Sequence, residues 1–181
     1  MRSIVTHGGD FVSLDEPQAI DIRVIAHSLS LICRFTGHTP ASYSVAQHSL
    51  LVSHEAGLIA RDRNLDSDII RQVRLIGLLH DAHEFLCGDV SRPVKEVLGA
   101  AWLSFEAKLQ RMVLESLGQK NTPPTIRDIV READDTLLAA ELSTFFGLAS
   151  ESVRAKQIII NPWSVSWARS KFLKVYEELT Q

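Results

Sequence analysis

Apolar residues recur at helical spacing along the chain from residue 20 onwards. Between residues 67 and 85, in SDIIRQVRLIGLLHDAHEF, they lie all round the helical wheel, which is typical of a central, buried helix. The other periodic stretches are typical of helices that pack around such a centre. The pattern predicts helices over residues 20–35, 44–60, 67–85, 93–118, 125–147 and 164–179.

Residues with strong local preferences mark the ends of several predicted helices. Ser44 and Gln47 fit a capping box at the start of the second helix, and Pro93 and Ser164 suit helix starts. Before residue 17 the pattern differs, because IVTHGGDFVSLDEP alternates apolar and polar residues around a Gly-Gly pair. That alternation predicts a small hairpin or an extended arm. The fold class is therefore all-α with a minor β decoration, and 181 residues suit a single domain over 1–181.

Composition and charge exclude several classes of protein. A net charge of −3 provides no basic field for long nucleic acid. No stretch approaches the roughly 18 consecutive apolar residues of a membrane span, and MRSIVTHGGDF lacks the apolar region of a secretory signal. Cys33 and Cys87 belong to no CxxC motif and are too few for a disulfide framework. We therefore expect a cytoplasmic protein with neither a membrane nor long nucleic acid as a partner.

Two histidines occupy the apolar faces of predicted helices. At about 100° per residue, His48 falls within about 60° of Val45 and Ile59, and His80 shares its face with Ile76. An imidazole on an apolar face is costly unless its nitrogens are satisfied, and metal coordination is one way to satisfy them.

The adjacent acids Asp134 and Asp135 differ in their position on the predicted helix. Asp134 lies on the flank of the apolar stripe of its helix, whereas Asp135 points away from it. Four side chains from three helices can thus converge: His48, His80, Asp81 and Asp134. Two imidazoles and two carboxylates suit one divalent transition metal (Mn, Co, Zn, Fe or Ni) better than Ca or Mg. The alternative is a polar core network with exposed helix ends.

The order of these residues, H…HD…D, resembles the HD-domain superfamily of metal-dependent phosphohydrolases, which is helical and takes its metal from this pattern. The segment HDAHEFLCGDVSRPVK is more specific. It is similar to the branch that contains bacterial 5'-deoxynucleotidases and phage deoxynucleotide triphosphohydrolases, and in VREADD the metal-binding Asp of that branch falls on Asp134. The resemblance implies a single HD-domain helical bundle.

The resemblance also implies roles for residues beside the metal. Glu84 matches the acid that acts on the attacking water, and Asp89 matches a second carboxylate near the site, so both are predicted to be catalytic. Four positions match contacts to the phosphate and the nucleoside: Arg34, Phe35, Pro93 and Lys95. The branch has an Arg-Trp pair where this chain has Arg34-Phe35. Phe35 keeps an aromatic face for stacking, but the change leaves undetermined which base and which sugar the site selects.

These residues predict metal-assisted hydrolysis of a (deoxy)nucleotide. The substrate is either a 5'-deoxynucleotide monophosphate, which releases inorganic phosphate, or a dNTP such as dATP, which releases triphosphate. A second divalent ion, Mg or Mn, on the substrate phosphates is a further expectation. The alternative is a non-catalytic HD protein that binds a nucleotide or second messenger. The resemblance also implies a homo-oligomer.

Overall fold

The computed structural model describes residues 2–181, and helices dominate them. Two strands open the chain, β1 (Ser3–Val5) and β2 (Phe11–Ser13). The helices that follow are α1 (Ile22–Leu31), a 3-10 turn (Arg34–Gly37), α2 (Val45–Asp62), α3 (Ser67–Leu79), α4 (Glu84–Cys87), α5 (Arg92–Ser116), α6 (Pro124–Phe146), α7 (Val153–Gln157) and α8 (Val165–Thr180). The predicted all-α class is confirmed. None of the helices within residues 2–181 combines the length and apolar character that crossing a bilayer requires.

The N-terminal segment forms the predicted hairpin. β1 and β2 pair antiparallel, with Ser3 opposite Ser13 and Val5 opposite Phe11. Gly9 in the connecting turn has φ of 87°, a conformation that glycine adopts at little cost.

The first helix is shorter than its apolar pattern predicts. It ends at Leu31, and the prediction that it continues to residue 35 is wrong. Beyond it, Cys33 forms a β-bridge with Ser44, and the Arg34 N–H donates to the Tyr43 carbonyl at 2.9 Å. These backbone bonds to the segment before α2 replace the bonds that a continued helix would make.

Helix α2, rather than α3, is the central helix. It packs against α1, α3, α6 and α8, and most of its side chains are buried. Many of the buried side chains on α2 are small, which allows the neighbouring helices to approach closely: Ala46, Ser49, Ser53, Ala56 and Ala60. Because serine and alanine contribute little to an apolar pattern, the sequence of α2 does not indicate its burial, and α3 is predicted as the centre instead.

Two apolar clusters flank α2. One lies towards α1 and α8 and includes Leu29, Leu79 and Phe172. The other lies towards α6 and includes Val52 and Leu137. The apolar stripe of α8 is thus buried within the chain.

Helices α2 and α3 approach each other closely at Gly77. A Cβ added at Gly77 would lie 3.0 Å from the Cα of Ser53, so the contact is with backbone that cannot rotate away. The Ser53 hydroxyl donates to the Arg74 carbonyl at 2.7 Å across the same interface. This crossing sets the separation between the helices that carry His48 and His80.

We expect Gly77→Ala to lower the free energy of unfolding by about 2 kcal/mol, because an extra methyl group at a tight backbone contact forces the helices apart. Urea denaturation followed by circular dichroism measures the change. Gly57→Ala is the comparison variant on α2: its added Cβ would lie 2.8 Å from the Cγ of Arg74, so relief requires only a change of the Arg74 rotamer and no shift of backbone. Equal stability of Gly77→Ala and wild type would show that the crossing is loose.

Candidate metal centre

Three helices bring two histidines and an aspartate together. His48 lies in the first turn of α2, His80 at the end of α3, and Asp134 in the middle of α6. The His48 Nε2 lies 3.3 Å from the His80 Nε2 and 3.1 Å from the Asp134 Oδ1. The His80 Nε2 and the Asp134 Oδ1 are 3.8 Å apart. These atoms lie close enough together to bind one ion.

The helix break after α3 adds Asp81 to this group. Residues 80–83 form a turn with hydrogen bonds between residues three apart before α4 begins, so the predicted continuous helix to residue 85 is interrupted. The Asp81 Oδ2 then lies 3.1 Å from the His80 Nε2 and 3.7 Å from the His48 Nε2. The structure therefore brings all four predicted ligands together.

Hydrogen bonds on the far side of each imidazole orient the two rings. The His48 Nδ1 lies 2.6 Å from the Glu141 Oε1, and the His80 Nδ1 lies 2.8 Å from the Gly77 carbonyl. Because an ionised carboxylate and a carbonyl can only accept, both Nδ1 atoms donate. Each Nε2 is thereby directed at the common point, in the arrangement by which proteins orient metal-binding histidines.

The electrostatics of the four groups favour a positive charge at this point. Burial and Arg34 oppose protonation of His48, but Glu141 and Asp134 raise the pKa of its imidazole to about 9. Burial would raise the pKa of Asp81, yet His80 and His48 hold it well below its usual value. The carboxylates that stabilise a protonated imidazole at this point are equally suited to stabilise a metal cation.

The donor set and its spacing fit a divalent transition metal. Ligand atoms bound at about 2.1 Å and near right angles are about 3 Å apart. The observed separations between donor atoms of the four residues are mostly 3.1 to 3.8 Å. Two imidazole nitrogens and two carboxylates suit Mn, Fe, Co, Ni or Zn.

Glu141 is a site residue that the sequence analysis does not identify. Its carboxylate is fully buried and accepts from the His48 ring, from the Arg34 guanidinium at 2.7 Å and from the Tyr43 hydroxyl at 2.7 Å. Burial opposes ionisation, but His48 and Arg34 lower its pKa. The available sequence signal is its position two turns after Asp134 on the same helix face.

A cleft of about 620 Å³ opens beside Asp81 and Asp134, and we name it the nucleotide cleft after the ligand that is proposed for it below. The remaining predicted site residues all line it: Arg34, Phe35, Glu84, Asp89, Pro93 and Lys95. Residues that lie up to 61 positions apart in the chain, from Arg34 to Lys95, thus share one concave surface.

Two acids of the cleft, Glu84 and Asp89, have raised pKa values. Burial is the main cause that raises the pKa of Glu84 well above its ordinary value, and the charges of Asp81 and Asp89 add to it. Burial also raises the pKa of Asp89, although Arg34 and Lys95 act against the shift. The Glu84 Oε2 is buried and has no hydrogen-bond partner among residues 2–181. A buried carboxyl oxygen in this state is suited to exchange a proton with a molecule in the cleft.

Phe35 and Lys95 are held by neighbours that the sequence does not indicate. Phe35 has φ of 54°, in the left-handed region, and its ring meets the Phe146 ring edge-on with the centroids 5.2 Å apart. The Lys95 ammonium forms an ion pair of 2.6 Å with Glu106, which also lies 3.2 Å from the His83 Nε2. Asp135, in contrast, is exposed, as its wheel position predicts.

Comparison with known proteins agrees with this geometry. The HD domain family matches residues 33–140, more than half of the chain. An uncharacterized protein of Rhodobacter capsulatus, RCAP_rcc00048, is 34% identical over 136 residues, which cover 74% of this chain and 66% of that protein. The uncharacterized protein YfdR of Escherichia coli K12 is 34% identical over 143 residues, which cover 78% of this chain and 71% of that protein. The chain spans about two thirds of the length of these curated relatives. It belongs to the HD-domain superfamily of metal-dependent phosphohydrolases.

Proposed function

We propose that the protein hydrolyses (deoxy)nucleotides with the aid of a divalent transition metal. The observation that carries the proposal is the convergence of two imidazoles and two carboxylates at the edge of the nucleotide cleft. His48, His80, Asp81 and Asp134 would hold the metal. When bound, such an ion lowers the pKa of water and polarises a phosphoryl oxygen.

The protein's own acids are assigned to proton transfer. Glu84 takes a proton from the attacking water or returns one to the departing oxygen. Its pKa is raised above the ordinary value of a carboxyl group, which suits a group that both accepts and donates a proton. Asp89 lines the same cleft and is the second acid in the proposal. Its charge contributes to the raised pKa of Glu84, so the two carboxyls act as a coupled pair.

Cations and apolar groups of the nucleotide cleft are assigned to substrate binding. Arg34 is nearly buried, and its guanidinium lies 3.9 Å from Asp81. We assign it to bind the reacting phosphate, because a guanidinium can donate two hydrogen bonds to one phosphate. Lys95 adds a second cation once its ion pair with Glu106 is shared with the phosphate. Phe35 and Pro93 supply apolar surface for the nucleoside.

Two activities are proposed for the site. It is either a 5'-deoxynucleotide monophosphatase or a dNTP triphosphohydrolase that acts on dATP or related triphosphates. A second divalent ion, Mg or Mn, would accompany the substrate phosphates in either case. The two activities differ in the product, inorganic phosphate or triphosphate.

We also propose that the chain forms a homo-oligomer. Apolar side chains of α5 support it, because Val97 is 87% exposed and three further residues around the kink at Gly99 are about half exposed: Val94, Leu98 and Leu103. Light scattering tests it, and a mass of 20.2 kDa would contradict it.

We expect hydrolysis from a panel of ribo- and deoxynucleoside mono-, di- and triphosphates assayed with Mn, Co, Zn and Mg. His80→Ala should lose both bound metal and activity, because it removes one imidazole ligand. Ion chromatography identifies the product. If the metal-loaded protein hydrolyses no nucleotide in the panel, the protein is instead a non-catalytic HD protein that binds a nucleotide or second messenger.

Glu84→Gln should retain wild-type metal content and lower kcat by about 10²- to 10⁴-fold, since the amide keeps the shape but cannot exchange the proton. Metal analysis and steady-state kinetics on the same preparation separate the two effects. Unchanged turnover would remove Glu84 from proton transfer.

Glu141→Gln should weaken metal binding about 10- to 100-fold, because the His48 ring loses its anionic partner. Asp135→Ala is the matched control on the same helix and should bind metal like wild type, since its side chain is exposed. Competition with a metal-binding dye measures both affinities. Equal affinity for the two variants would show that Glu141 only fills the core.

A further inference from the structure

A second cleft lies on the other side of the candidate metal centre. It runs between α5 and α6, has a volume of about 550 Å³, and reaches His80 and Asp134. The nucleotide cleft reaches Asp81 and Asp134, so the two clefts meet at the metal ligands. No role proposed above uses the second cleft.

Four cations line this second cleft, here called the basic cleft: Arg111, Lys120, Arg127 and Arg131. None of them forms an ion pair with any residue from 2 to 181. Asp134 is the one carboxylate among the described residues that line it. In a chain of net charge −3, such a group of unneutralised cations in one concavity produces a local positive potential.

The cations come from three segments and surround the cleft. Arg111 is on α5, Lys120 is in the connection between α5 and α6, and Arg127 and Arg131 are one turn apart on α6. Three polar side chains complete the lining: Gln110, Gln119 and Thr122. Donors spread over three segments match an extended anion with several negative groups better than a single phosphate.

We infer that the basic cleft binds an oligophosphate. The inference deepens the proposed function and rests on it for the identity of the anion, because the cleft opens at the ligands of the proposed phosphohydrolase centre. Two kinds of molecule could supply the oligophosphate group. It is either the phosphate chain of a nucleotide whose nucleoside lies in the nucleotide cleft, or a separate oligophosphate anion.

Titration of the chelator-treated protein with tripolyphosphate by calorimetry tests the site without metal or turnover. We expect the Arg127→Gln/Arg131→Gln double variant to weaken binding about tenfold, because it removes two charge-assisted contacts at an exposed site. Arg61→Gln, which removes an exposed arginine on α2 outside the cleft, should bind like wild type. The dissociation constant of the wild type should rise with added salt.

Three results would overturn the inference. The first is absence of measurable binding in the wild type. The second is equal dissociation constants for the double variant and Arg61→Gln. The third is a loss of tripolyphosphate binding in Lys95→Gln that exceeds the loss in the double variant, since the anion would then bind in the nucleotide cleft.

Kinetics of the metal-loaded protein separate the two sources. A raised KM of the double variant for nucleoside triphosphates, with an unchanged KM for monophosphates, identifies the anion as the substrate's phosphate chain. Unchanged KM values with weakened tripolyphosphate binding identify a separate anion. If the protein binds tripolyphosphate in the basic cleft but hydrolyses no nucleotide, the inference is supported and the proposed function is refuted. If it hydrolyses nucleotides but the double variant binds tripolyphosphate as tightly as the wild type does, the proposed function is supported and the inference is refuted.

Discussion

The buried carboxylate of Glu141 determines where the other groups of the candidate site can lie. A carboxylate removed from water is stable only when cations and hydrogen-bond donors replace the water. His48, Arg34 and Tyr43 do so here, at 2.6 to 2.7 Å. They come from α2, from the 3-10 turn and from the segment before α2, so one side chain of α6 fixes three separate pieces of backbone. The carboxylate of Glu141 also orients the His48 ring towards the candidate metal centre and holds the Arg34 guanidinium beside the cleft.

The second constraint is the close packing of α2 on α3. Gly77 allows the backbones to approach, and its carbonyl accepts from the ring of His80. Both imidazoles are therefore held from the core side while their Nε2 atoms face each other at 3.3 Å. A site with its ligands already oriented requires little rearrangement when a cation binds.

Helical periodicity places His48 and Asp134 inward and Asp135 outward because each lies within a regular helix, where wheel angles hold. It does not predict the break after His80, since the apolar pattern continues to Phe85. Residues 80–83 instead form a tighter turn, in which the Ala82 and Glu84 N–H groups donate to the carbonyls of Leu79 and Asp81 at 3.1 and 3.0 Å. His80 and Asp81 lie at the start of that turn, and the His80 Nε2 and the Asp81 Oδ2 are 3.1 Å apart.

Other features depend on contacts that no local pattern contains. The partners of Glu141 lie 93 to 107 residues away, so its burial as an ionised group becomes visible only in the folded chain. The partner of Lys95 is Glu106, which the sequence presents as an ordinary helix residue. The capping box at Ser44 is half formed: the hydroxyl accepts from the Gln47 N–H, while the Gln47 side chain bonds the backbone at residues 161 and 163.

The two clefts differ in charge in a way that suggests a division of roles. The nucleotide cleft combines cations with acids whose pKa values are raised, as proton transfer beside an anionic substrate requires. The basic cleft has cations without such acids, which suits it to hold negative charge and not to move protons. Asp134 borders both clefts and is 3.1 Å from His48, so charge bound on either side acts on the same ligand group. Since an anion in the basic cleft and a cation at the metal centre attract each other, occupancy of the metal centre and of the basic cleft should be mutually favourable.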